Sequence, residues 1–265
     1  MDLLIFGGQS NMQGQSECLS EDRPVARACE YRFLEDRTVP LKNPVGENIT
    51  FSGREGVCFQ EGNSADWLAV HALGAACYGH TNLVPAFCRA YLTHTEGEVM
   101  AVHAAKGSTT VSQWLPGTGE YAALKKKVLA AKKACTPCGI DRVFFIWLQG
   151  ESDAIAGTTC ADYKTKLRLL RDSLKQELAI DLFGIIRVGR FTGDARDLEI
   201  MRAQDALCKE DPDFLMLTEI AEQLNRRPDC MNPHVGGHYS AKGLEILGTA
   251  AGNTLGTYLI TKENA

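Results

Sequence analysis

No apolar run in the chain reaches the roughly 18 residues that a membrane-crossing helix needs, so a membrane is not an expected partner. Basic charge is not in excess: 28 Lys and Arg stand against 33 Asp and Glu, for a net charge of -5. That leaves no basic face for a phosphate backbone or anionic lipid, and nucleic acid is excluded as a partner. Met1-Asp2 leads straight into a strand, without the charged start and apolar core of a signal peptide. The ten cysteines include one close pair, Cys135-Thr-Pro-Cys138, and no second pair at zinc spacing. No metal is expected, and the thiols read as small hydrophobes of a reducing compartment, the cytoplasm. Internal repeats and low-complexity segments are also missing.

What is present is an alternation of apolar runs with amphipathic stretches. Residues 2–6, 30–34, 98–105, 142–148 and 181–188 read as strands, with a further short one at 214–217. Helices are expected at 65–78, 83–94, 121–134, 161–178, 196–208 and 240–259, the lysines of 121–134 forming a solvated face. The order implies a single α/β domain over 1–265, a three-layer α/β/α arrangement around a mostly parallel, five-stranded sheet. Residues 18–62, punctuated by proline and glycine, read as irregular apart from 30–34.

The strand at 2–6 empties into Gly7-Gly8-Gln9-Ser10-Asn11-Met12, which puts one hydroxyl at a strand's carboxyl end, where open parallel sheets collect their chemistry. A glycine-rich phosphate loop is the competing reading, but no Walker lysine follows at its spacing. Met12 stands where a G-x-S-x-G elbow needs glycine, which sets aside the α/β-hydrolases. Two later stretches resemble deliveries to the same rim: Gln149-Gly150-Glu151-Ser152-Asp153 after a strand, and His238-Tyr239-Ser240-Ala241-Lys242-Gly243 before the last helix.

Taken in order, these three motifs resemble the SGNH hydrolases, and within them carbohydrate esterase family six and the sialate O-acetylesterase-like (SASA) domain. The resemblance runs from Leu3 to about Leu259 and implies a flavodoxin-like fold. It further implies a serine esterase that removes O-acetyl groups from carbohydrates of acetylxylan or sialate type through an acyl-enzyme, without cofactor. Ser10 is then the nucleophile and His238 the base, chosen over its neighbour His234 by the motif match. Oxyanion donors would be the N–H groups of Ser10 and Gly107 with the side chain of Gln149. Asn11 and Trp114 are expected substrate contacts, with Trp67 and Tyr239 as further candidates for stacking on a sugar.

In the triad acid the sequence departs from the broad pattern. Position 235, three residues before His238, holds Val where an aspartate is usual. The family assignment points to Glu151, Asp229 is the runner-up, and a Ser–His dyad helped by a backbone carbonyl is the third choice. The functional alternatives are an SGNH lipase or thioesterase on other acyl esters, and a catalytically weak carbohydrate-binding relative.

Overall fold

The computed structural model describes residues 1–18, 20, 23–33, 35–46 and 81–263. The helix expected at 65–78, with Trp67 and His71, and also His80, lie outside the described residues.

Seven strands among the described residues form one sheet: β1 (Asp2–Gly8), β2 (Ala28–Arg32), β3 (Arg37–Pro40), β4 (Val99–Ala105), β5 (Arg142–Leu148), β6 (Leu182–Ile186) and β7 (Phe214–Thr218). Their order is β3-β2-β4-β1-β5-β6-β7. All neighbours pair in parallel except β2 and β3. Within it, β4-β1-β5-β6-β7 has the 2-1-3-4-5 order of flavodoxin-like sheets, whose sites lie at the switch point beside the first strand. The sheet has seven strands where five were expected: 30–34 is found as β2, the short strand at 214–217 joins the sheet as β7, and β3, which was not expected, pairs antiparallel with β2 at one edge. Arg37–Pro40 is mostly exposed and ends in proline, which only an edge strand tolerates.

The central strands are buried on both faces, as their unbroken apolar runs require: every residue of β1 and β4 is buried. Alternation splits the aromatic core in two. Phe6 and Phe144 face α2 (Val84–Tyr91), meeting Phe87 and Tyr91 edge-on at 5.2 and 6.5 Å. Phe145, Trp147 and Phe183 cluster on the other face, where Trp147 donates to the hydroxyl of Tyr163 on α5 (Cys160–Leu178). Each large side chain sealed in this way contributes about 1.5–3 kcal/mol.

Helix starts carry their own signals. Thr159 caps α5 by accepting the N–H of Asp162, and Asp194 caps α6 (Ala195–Glu210) by accepting that of Arg196. The lysine face of α3 (Gly119–Cys135) is not wholly solvated: Lys127 is buried and donates to the carbonyl of His103 on β4 at 2.6 Å. After the short α7 (Ala221–Leu224), the terminal helix α8 (Ala241–Glu263) lies close against α2 through a row of glycines. A methyl group on Gly248 would come within 2.3 Å of the Leu83 carbonyl oxygen, and one on Gly252 within 2.2 Å of that of Phe87. On Gly256 it would strike the His94 ring.

Register places the site. Gly8 of β1 lies opposite Ala105 of β4 on one side and Leu148 of β5 on the other. Three strands therefore end at one level, and Ser10, Gly107 and Gln149 all follow those ends.

Candidate active site

Ser10 opens α1 (Ser10–Gln13), one turn long because Gly14 takes a left-handed conformation (φ 91°) and its N–H closes on the Ser10 carbonyl. Asn82 fastens the turn from across the rim, its Nδ2 donating to the Met12 carbonyl at 2.8 Å. The hydroxyl of Ser10 lies 2.9 Å from Nε2 of His238. Residues far apart in the chain are thus brought together, each nearly buried, with Ser10 5% and His238 8% exposed.

His238 sits in a closed loop. A bridge pairs Met231 with Tyr239, the Asn232 N–H bonds the His238 carbonyl at 2.8 Å, and Ser240 caps α8 just beyond. Nδ1 of His238 lies 2.9 Å from the carbonyl oxygen of Gly236. A carbonyl has no proton to give, so Nδ1 carries it and Nε2 presents its lone pair to Ser10. Burial pushes the imidazole below its ordinary pKa, which favours its neutral form. Phe191 stands edge-on to the ring at 5.8 Å.

Among the described residues, no carboxylate reaches Nδ1. Glu151 opens α4 (Glu151–Ala156) at the end of β5, is 3% exposed, and accepts a hydrogen bond from Nδ2 of Asn11 at 2.8 Å through Oε1. Burial pushes its carboxyl above the usual range, against the opposing pull of Asn11 and the nearby backbone N–H groups. Asp229 points to the surface, paired with Lys242 at 2.6 Å and Arg227 at 3.2 Å. Of the three sequence readings, the backbone-carbonyl dyad matches the observed contacts of the ring. His234 is exposed on the same loop, away from the pair.

The Gly107 N–H is beside the serine: a Cβ built on Gly107 would lie 3.6 Å from that of Ser10. It donates to Oε1 of Gln13 at 2.9 Å, so a neutral side-chain acceptor occupies the N–H expected as an oxyanion donor. Gln149 is placed differently from expectation. Fully buried, its amide donates to the Thr109 carbonyl at 2.8 Å and to Oδ2 of Asp153 at 2.6 Å, which spends both protons beneath the rim. Asp153 also accepts the Val111 N–H at 2.7 Å, fixing the segment after Gly107.

Trp114 is a core residue rather than a substrate platform: it is fully buried, packs edge-on against Trp147 at 5.5 Å and bonds Thr109. Tyr239 is likewise buried. Asn11 is 2% exposed and engaged by protein groups. Sequence reasoning missed Gln9, Gln13 and Phe191. Gln9, whose Oε1 accepts the Ser152 N–H at 3.1 Å, ties the first motif to the second, and its place inside the first motif was the available signal.

The sheet order and the Ser10–His238 pair fit the resemblance to the SGNH hydrolases. Residues 1–251 match the family described as carbohydrate esterase, sialic acid-specific acetylesterase, and the chain belongs to that family of esterases. Among solved structures it is similar to a protein from Arabidopsis thaliana, at 15% identity over 97% of this chain and 98% of that one, with a TM-score of 0.68. It is similar to NanS at 16% identity over 97% of both chains, with a TM-score of 0.61. It is also similar to Axe2, an acetylxylan esterase from Geobacillus stearothermophilus, at 15% identity over 96% and 94% of the two chains, with a TM-score of 0.51. No curated protein matches the chain in sequence.

Proposed function

We propose that the protein is a serine esterase that removes O-acetyl groups from carbohydrate hydroxyls through an acetyl-enzyme. The observation that carries this reading is the 2.9 Å contact between the Ser10 hydroxyl and Nε2 of a histidine held neutral with its proton on Nδ1. Nε2 takes the hydroxyl proton as Ser10 Oγ attacks the acetyl carbonyl. The oxyanion that forms takes hydrogen bonds from Ser10 N–H and from Gly107 N–H, which gives up Gln13. Collapse of the intermediate expels the sugar alkoxide, protonated by Nε2, and leaves the acetyl group esterified to Ser10 Oγ. Water, deprotonated by the same nitrogen, then releases acetate and restores the serine.

Because Nδ1 faces a neutral carbonyl, the imidazolium formed in each step is stabilised by a dipole where other triads supply a full charge. The carbohydrate preference rests on the family description and on the similarity to Axe2, an acetylxylan esterase. Hydrolysis of p-nitrophenyl acetate by the wild type and by Ser10→Ala, with fluorophosphonate labelling mapped by peptide mass spectrometry, tests the reaction class. Labelling at Ser10 and loss of turnover in the variant are expected. A wild type that neither labels nor turns over refutes the reading. Acetate release from acetylated xylooligosaccharide and from O-acetylated sialic acid then sorts the sugars.

A further inference from the structure

Asn11 follows the nucleophile, and its carboxamide reaches both peptide groups that flank His238. Nδ2 lies 3.3 Å from the Gly237 carbonyl oxygen, on the peptide entering the histidine, and Oδ1 accepts the N–H of Tyr239 at 3.2 Å, on the peptide leaving it. Only one orientation of the amide allows this, since a flip sets donor against donor and acceptor against acceptor. The remaining proton of Nδ2 goes to Oε1 of Glu151 at 2.8 Å, an acceptor that rewards that same orientation. The other carboxyl oxygen, Oε2, is buried and accepts no hydrogen bond among the described residues. Glu151 touches the histidine loop through Asn11 and through nothing else that these bonds define.

We propose that Glu151 and Asn11 are positioning residues that clamp the backbone on both sides of His238. They would do through the peptide groups what the carboxylate missing from position 235 does through the ring in other SGNH hydrolases. This rests on the assignment of Ser10 and His238 as nucleophile and base. What counts at position 151 is then an acceptor oxygen facing Asn11, not a negative charge, so glutamine replaces glutamate and alanine does not.

The test compares Glu151→Gln, Glu151→Ala, Asn11→Ala and the double alanine variant, each checked by thermal melting. With p-nitrophenyl acetate, Glu151→Ala and Asn11→Ala are expected to lower kcat about 100-fold with KM within about threefold, the scale of a misplaced catalytic group. Glu151→Gln is expected to lose less than about tenfold, and the double variant to be no worse than Asn11→Ala, because one clamp is broken in both. A loss of about 10⁴-fold in Glu151→Gln, the signature of neutralising a directly bonded triad acid, overturns the proposal.

A second measurement does not depend on turnover: the ¹⁵N imidazole signals of His238, assigned by their disappearance in His238→Asn. The wild type and Glu151→Gln are expected to hold the Nδ1–H tautomer, while Glu151→Ala and Asn11→Ala mix the two. If Glu151→Ala fails to fold, Asn11→Ala decides alone. Unchanged tautomers in the alanine variants sink the clamp even in an active esterase. A shifted tautomer in a protein without esterase activity keeps the clamp and refutes the esterase reading.

Discussion

Asp229 is close to His238 in the chain and Glu151 is distant, yet the fold reverses their standing. Asp229 sits in water between Lys242 and Arg227, and these two cations hold its carboxyl down to about 2. Glu151 is sealed at the end of β5 with Asn11 as its side-chain donor among the described residues, and desolvation pushes its carboxyl the opposite way. Proximity in sequence therefore says little about membership of a site. The strand that delivers a residue and the water it loses on arrival decide more.

The largest effect belongs to the pair itself: Ser10→Ala should cut turnover about 10³-fold or more, read from steady-state kinetics. Next comes the comparison of carboxylates, where Asp229→Asn should stay within about twofold of wild type, as exposed ion pairs do, against the much larger loss in Glu151→Ala. Equal losses would erase the distinction.

A smaller effect concerns pH. Burial lowers the His238 pKa, so the neutral base survives into more acidic solution, and the acid limb of kcat/KM should fall below about 6.5. Asp229→Asn should leave that limb in place. The smallest effects are in stability, and they have opposite signs. The raised pKa of Glu151 means that its contribution is complete below the ordinary carboxyl pKa near 4 and is lost as pH rises through the raised value. Glu151→Gln should thus gain in Tm relative to wild type between pH 4 and 8. The depressed pKa of Asp229 gives a contribution present above about 4 and lost as pH falls toward 2. Its exposure keeps the Tm change in Asp229→Asn within about 2 °C.

Much of the scaffold was legible because burial on both faces forces continuous apolar runs. The strand at Arg142–Leu148 is found where it was expected, and α5 starts one position earlier, at Cys160. The hairpin of β2 and β3 was read only in part, since Arg37–Pro40 has neither an apolar run nor a buried face to advertise it. In the site, Ser10 and His238 were legible because their motifs fix which side chain leaves a strand end or precedes a helix. Gln149 was not, because a motif records spacing and is silent on which protons are already spent, here on Thr109 and Asp153. Trp114 shows the same limit: an aromatic after a turn looks alike whether it faces a ligand or, as here, Trp147.

The glycines at 248, 252 and 256 make α8 behave as an indexed shaft. With backbone lying on backbone along α2, any shift smaller than a full turn, about 5.4 Å, drives bulkier neighbours into the Leu83 and Phe87 carbonyls. His238 hangs just ahead of that shaft. The reach from its Nε2 to Ser10 is accordingly gauged along α8, by three methyl groups that are not there.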